Sequence, residues 1–185
     1  RFVAAIGPGL AGLSPDIAAE PRVNGAIMRI NRDIRFSKDK TPYKTNVGIQ
    51  FRHVTGKDVH APGLYVHVEP GASMIGVGLW HPEASALAAI RSRIIDDPAG
   101  WAKVRDDAAF RATFELHGES LKRPPPGVAA DHPHVEDLKR KDHIAVASIS
   151  DPTFMAEGVV DEVMQRFRVA KAYLGFLCEA VGIAF

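Results

Sequence analysis

Apolar and polar residues alternate through three stretches in the first half of the chain, and apolar residues recur at helical spacing through most of the second half. Val47, Ile49 and Phe51 alternate with Asn46, Gly48, Gln50 and Arg52. Leu64, Val66 and Val68 alternate with Tyr65, His67 and Glu69, and Ile75, Val77 and Leu79 alternate with Met74, Gly76, Gly78 and Trp80. A period of two places each apolar set on one face of a strand. Glu69-Pro70-Gly71-Ala72 has Pro and Gly at the central positions of a type II turn, so the second and third strands are expected to pair as an antiparallel hairpin. That turn sets Tyr65 opposite Gly76 and His67 opposite Met74.

Helical spacing covers much of the remainder. Phe2, Ile6, Leu10 and Leu13 form a stripe weakened by Gly7-Pro8-Gly9. His81-Pro82-Glu83 reads as a helix start with proline in its first turn, leading to Leu87, Ile90 and Ile94. Asp97-Pro98 opens a short helix around Trp101, and Phe110 with Phe114 marks another. Lys122-Arg123-Pro124-Pro125-Pro126-Gly127 is irregular, because consecutive prolines remove donors and fix φ. His132-Pro133 predicts a helix to about Lys141, and His143 to Ser148 a further strand. Val163, Phe167, Ala170, Leu174, Leu177 and Val181 predict one last helix whose stripe packs on the apolar sheet face. The expected fold is α+β: one domain over residues 1–185, an antiparallel sheet covered by helices mainly on one face. The chain begins at Arg1 in what reads as mid-helix, so a native N-terminal segment is expected upstream.

Composition narrows the function classes. The balance of 23 Lys/Arg against 22 Asp/Glu leaves a net charge of +1, which disfavours nucleic acid as a partner. One cysteine, Cys178, cannot form an internal disulfide and sits beside the last helical stripe, where a core role is expected. No apolar run approaches the roughly 18 residues of a membrane span, and no signal-peptide cleavage pattern is present, so a cytoplasmic location without membrane partners is the default expectation.

The candidate chemistry gathers on the polar side of the strands. Gly48, Gly76 and Gly78 alternate there with Tyr65, His67 and Trp80, leaving room for something to approach the backbone. Immediately upstream, residues 29–46 hold six Lys/Arg against two Asp. Arginine offers a planar donor fork for phosphate or carboxylate, and lysine a point charge. An anionic small molecule is the expected ligand, with Arg32, Arg35, Lys38, Lys40, Tyr43, Lys44, Arg52, Tyr65, His67 and Trp80 as candidate binding residues. The alternative structural reading is that an upstream helix covers the hollow face and the charges are solvated. A second functional reading has the same basic-aromatic segment, with Phe36 and Tyr43 among cations, docking RNA or an acidic protein.

Other chemistries find little footing. His132-Pro133-His134 has a ligand-like spacing, but proline in a first helical turn makes His132 a capping residue and points His134 elsewhere, and no metal is expected. There is no nucleophile elbow, and Gly76-Val77-Gly78 lacks the third glycine of a dinucleotide fingerprint and the Lys-Ser/Thr of a phosphate loop, so no cofactor is expected. Glu69 and His67 alternate on the hollow face and are available for acid/base chemistry, while Asp33 and Asp39, among cations, read first as ion-pair partners.

Four segments carry a resemblance: 29–46, Gly-Leu-Tyr-Val-His-Val-Glu-Pro-Gly at 63–71, Gly-Leu-Trp-His-Pro-Glu at 78–83, and Leu-Lys-Arg-Pro-Pro at 121–125. They resemble the bacterial and fungal proteins grouped as the domain of unknown function 2461 family, and the resemblance spans nearly the whole chain. It implies a family without an established activity, so no catalytic residue is carried over. The family pattern centres on Arg32, Asp33, Arg35, Phe36, Lys38, Asp39, Lys40, Pro42, Tyr43 and Lys44, the residues that the charge pattern also selects.

Overall fold

Alternation in the strands decides the architecture. The computed structural model describes residues 1–55 and 61–185. Among them, β1 (Ile17–Ala18), β2 (Val47–His53), β3 (Gly63–Val68), β4 (Met74–Leu79), β5 (Glu115–His117) and β6 (His143–Ser148) form an antiparallel sheet in the order β1-β2-β3-β4-β6-β5. Ile49, Val66, Ile75 and Ala147 make one row across it, and Phe51, Leu64, Val77 and Ala145 the next. Every residue of both rows is buried. The hairpin forms as expected, with the Ala72 amide donating to the Glu69 carbonyl at 2.9 Å and Gly71 at φ 74, as the third position of a type II turn requires. Tyr65 pairs with Gly76 and His67 with Met74.

Helices cover the apolar face. α1 (Phe2–Leu13) packs on α7 (Val159–Val169), whose Phe167 meets Phe51 edge-on at 6.2 Å. α8 (Lys171–Ala180) lies against β4 and against α2 (Ala84–Asp96) and α3 (Pro98–Arg105). Asp97 caps α3 by accepting from the Gly100 amide at 2.9 Å, and Asp107 caps α4 (Ala108–Thr113) through the Phe110 amide. An aromatic cluster fills the junction: Trp101 lies 5.3 Å from Phe176 and 5.9 Å from Tyr173, and Phe110 stacks on Tyr173 at 4.8 Å. Cys178 is buried in this core, and burial pushes its thiol up to about 12, which leaves it unreactive.

Three expectations are corrected. The last helix is two, α7 and α8, joined at Ala170 with φ −80° and ψ −3°. The stripe crosses the joint because that backbone remains close to helical, and the bend lets α8 bury Tyr173, Phe176 and Cys178 as well. The helix expected to reach Lys141 is only α5 (Val135–Leu138). Residues 139–141 pair instead with 119–121, through Leu121 N to Lys139 O at 2.8 Å and Lys141 N to Glu119 O at 2.7 Å, while Arg91 donates to the carbonyls of Leu138 and Arg140. Third, α2 starts at Ala84, and Pro82 lies before its cap, Glu83. His81 holds a positive φ of 48°, and its amide is taken by the buried Asp142 carboxylate at 2.8 Å, so the chain turns before the helix can begin. The short strands β1 and β5 carry no alternation long enough to read in advance.

Two consequences for stability are measurable. A Cβ on Gly78 would lie 2.1 Å from the His143 carbonyl oxygen of β6, and Gly78 sits at φ 114. Gly78→Ala should therefore cost roughly 3 kcal/mol in urea unfolding, through strain and a forced separation of β4 from β6. His143 is buried, and burial, reinforced by Arg140, depresses its imidazole to about 4. Below about 6.5 the unfolded chain takes up a proton that the folded chain refuses until about pH 4, so this group's contribution is complete above pH 6.5 and is lost as pH falls toward 4, at up to about 1.4 kcal/mol per pH unit. His143→Leu should flatten that part of the stability profile relative to the unmodified protein.

Candidate functional site

Among the described residues β2 carries no helix on its polar face, and the chain segment before it folds back along that edge. Ile27 bridges to Ile49, the Met28 amide donates to the Gly48 carbonyl at 2.9 Å, and Gln50 N donates to Ala26 O at 2.8 Å. Residues 30–44 then leave the sheet as a hairpin, closed by Arg32 N to Pro42 O at 2.9 Å and Lys44 N to Ile30 O at 2.8 Å. Two hollows adjoin at its base, of about 580 Å³ over Gly48 and about 660 Å³ beyond it. Met28, Arg32 and Lys44 line both and form the partition between them.

Gly48 makes the inner hollow possible. A Cβ there would meet Met28 Sδ at 2.7 Å and the Tyr65 hydroxyl at 2.8 Å. Tyr65 thus leans from β3 across the bare backbone of β2, and its oxygen reaches the floor of the hollow. Gly76 plays a lesser part, since a Cβ there meets Tyr65 only at ordinary contact distance.

The hairpin's carboxylates consume part of its positive charge. Asp33 takes a bidentate pair from Arg35, at 2.9 and 2.6 Å, and that hydrogen bonding lowers its carboxyl. Asp39 accepts from the Thr41 amide at 2.9 Å and from Arg32, which together hold it near 2. Lys40 donates to the Ile34 carbonyl at 2.8 Å across the hairpin tip. Lys44 differs from these, because its ammonium makes no hydrogen bond or ion pair among the described residues.

The candidate residues named from sequence divide accordingly. Arg32, Tyr43, Lys44 and Tyr65 line the inner hollow, and Arg35 and Arg52 line the outer one with Arg32 and Lys44. Lys38 and Lys40 belong to the hairpin tip, outside both walls. Trp80 stands past the end of β4, its ring tilted at 40° to that of His81 with the centroids 4.3 Å apart. His67 lies behind Tyr65 and not in the wall itself. His132 and His134 serve α5 and its approach: His132 Nδ1 accepts the His134 amide, and the His134 ring meets the Pro98 carbonyl and Arg105.

A hydrogen-bonded row behind the hollow joins Tyr65 to His67 and Glu69, which the alternation places on this face; the link between the three is what residue-by-residue reading missed. Tyr65 OH lies 3.2 Å from His67 Nδ1, and His67 Nε2 lies 3.0 Å from Glu69 Oε2. Thr45 donates to the other oxygen of Glu69 at 2.6 Å. These two contacts, Thr45 first and His67 second, lower the Glu69 carboxyl. Ser73 fixes the Glu69 backbone from both sides, accepting from its amide at 3.1 Å and donating to its carbonyl at 2.9 Å. The signal in the sequence is the spacing Tyr-x-His-x-Glu, which runs from β3 into the residue just past its end and aligns three polar side chains along one face.

No curated protein and no solved structure matches the chain. No helix among the described residues is long and apolar enough to cross a membrane. The model of the family described as conserved hypothetical protein (DUF2461) matches residues 1–176, spanning the sheet, the hairpin and both hollows, and the chain belongs to that family.

Proposed function

We propose that the paired hollows beside β2 bind a small molecule carrying a phosphate or carboxylate group. The observation that carries this reading is Lys44, whose ammonium, on the partition between the two hollows, has no partner among the described residues. Around it, among the described residues, the outer hollow gathers Arg29, Arg32, Arg35 and Arg52 against one carboxylate, that of Asp33. Arg32 is held in place by Asp39 and Thr41, so its remaining N–H groups are fixed rather than free to wander. Tyr43 and Asn46 add polar groups to the inner wall, and Met28 gives it an apolar patch. A few convergent polar groups in a concave site of this size suit a metabolite rather than a polymer.

A second reading rests on one residue. Phe36 is 95% exposed at the hairpin tip, with the Arg35 guanidinium 5.9 Å from its ring centre. An aromatic ring beside a cation, standing clear of the surface, suits docking to RNA or to an acidic protein. Retention on RNA that falls steeply with salt and is abolished in Phe36→Ala would favour this reading over the first.

Inorganic phosphate and citrate, titrated against the labelled protein by NMR, test the first reading. Saturable shifts are expected at the amides of Lys44, Asn46 and Gly48. Lys44→Ala should weaken binding by roughly tenfold, the worth of one charge-assisted contact, and Lys40→Ala should leave it unchanged. Shifts scattered over surface lysines, or binding indifferent to Lys44→Ala, would remove the proposal.

A further inference from the structure

The side chains of Tyr65, His67 and Glu69 form a chain with a direction. Glu69 is held ionised by Thr45 and His67, and an ionised carboxylate can only accept, so His67 Nε2 carries the hydrogen in the 3.0 Å contact. In the neutral ring Nδ1 is then the acceptor, and the Tyr65 hydroxyl donates to it across 3.2 Å. Asn46 Nδ2 also approaches both ring nitrogens, at 3.4 and 3.2 Å, but at each nitrogen Tyr65 or Glu69 is nearer. The imidazole side chain is only 13% exposed, whereas the tyrosine oxygen reaches the floor of the hollow over Gly48. With its proton turned toward His67, that oxygen presents its lone pairs to whatever occupies the hollow.

We propose that Tyr65, His67 and Glu69 form a proton relay whose working end is the Tyr65 oxygen, and that the anion bound beside it is a substrate rather than cargo. The inference rests on the binding reading above and deepens it: the substrate class is a small phosphate or carboxylate bearing an acidic O–H or C–H. In the step assigned here, Tyr65 takes that proton as its own passes to His67 Nδ1. The substrate's electron pair stays on the atom that lost the proton. The imidazole becomes imidazolium, and Glu69 balances its charge. The return of the proton by the same path lets Tyr65 act as an acid in a later step. Glu69 touches no substrate and is a positioning residue, which fixes the tautomer and stabilises the imidazolium.

Sulfonyl fluorides test the relay without a known substrate. The phenol oxygen attacks sulfur, an S–O bond forms, fluoride leaves, and the phenol proton goes to the base. The three tyrosines give internal controls, since Tyr43 is exposed in the same hollow and Tyr173 is buried. Burial alone pushes the Tyr65 phenol up and away from reaction. Phenylmethanesulfonyl fluoride, read by peptide mass mapping at neutral pH, is nonetheless expected to label Tyr65 at least roughly tenfold faster than Tyr43, the gain expected of a positioned base. His67→Gln should abolish that advantage, and Glu69→Gln should reduce it. In the unmodified protein the Tyr65 rate should level off at a pH well below the value of about 10 that governs a free phenol. Labelling of Tyr43 as fast as Tyr65, or a Tyr65 pH profile that follows a free phenol, would overturn the relay whether or not the variants fold. Because the reagent is neutral, it reports on the relay alone. Protection of Tyr65 by added inorganic phosphate reports on the cations, so failure of one reading is separable from failure of the other.

Discussion

A strand that must bury every second residue surrenders control of the others. β2, β3 and β4 commit Ile49, Phe51, Leu64, Val66, Ile75 and Val77 to the helices, and the residues between them then have one face to share. Tyr65, His67, Gln50 and Gly48 are brought together by that constraint: the β2–β3 register pairs Gln50 with Tyr65 and Gly48 with His67, and the Pro70-Gly71 turn sets Tyr65 against Gly76 and His67 against Met74. A slip of one residue would send His67 into the core and Leu64 to the surface. The hollow therefore depends on the hydrophobic packing beneath it, although none of the described residues that line it belongs to the core.

The second dependence is on bulk that is missing. Gly48 has no side chain where Met28 and Tyr65 converge, and any side chain there would lift both away from the backbone. The edge segment at 26–28 brings Met28 into place, and the hairpin that follows brings Arg32 and Lys44. Three separate pieces of chain meet at one glycine, two through their side chains and one through its absence.

The long periodic elements were legible because each rests on local information: alternation in β2 to β4, the stripe of α7 and α8, and turn chemistry at Pro70-Gly71. The bend at Ala170 was not legible, since neither Gly nor Pro marks it and it answers to the aromatic packing around Tyr173 and Trp101. Residues 139–141 leave the helical pattern because Arg91 and the 119–121 segment, both distant in sequence, claim their backbone. At the site, charge pattern located the hairpin but not which cations it spends on itself. Arg32, Arg35 and Lys40 find partners within the hairpin, and only coordinates separate them from Lys44. The row from Tyr65 to Glu69 was written in the alternate spacing that runs from β3 to the residue just past it, yet Thr45 and Ser73, which hold its far end, come from other segments.

The margins of the sheet carry a consequence of their own. On one side it ends in β5, three residues long, with Glu115 and His117 outward. On the other, the pairing of β1 and of residues 26–28 with β2 is interrupted by the irregular run between them. Neither border presents a long flat row of backbone donors and acceptors on which a foreign chain could lay itself down. An antiparallel sheet readily leaves one face to water, and the hazard lies at its edges, where a foreign strand could pair; the ragged rims here discourage that pairing.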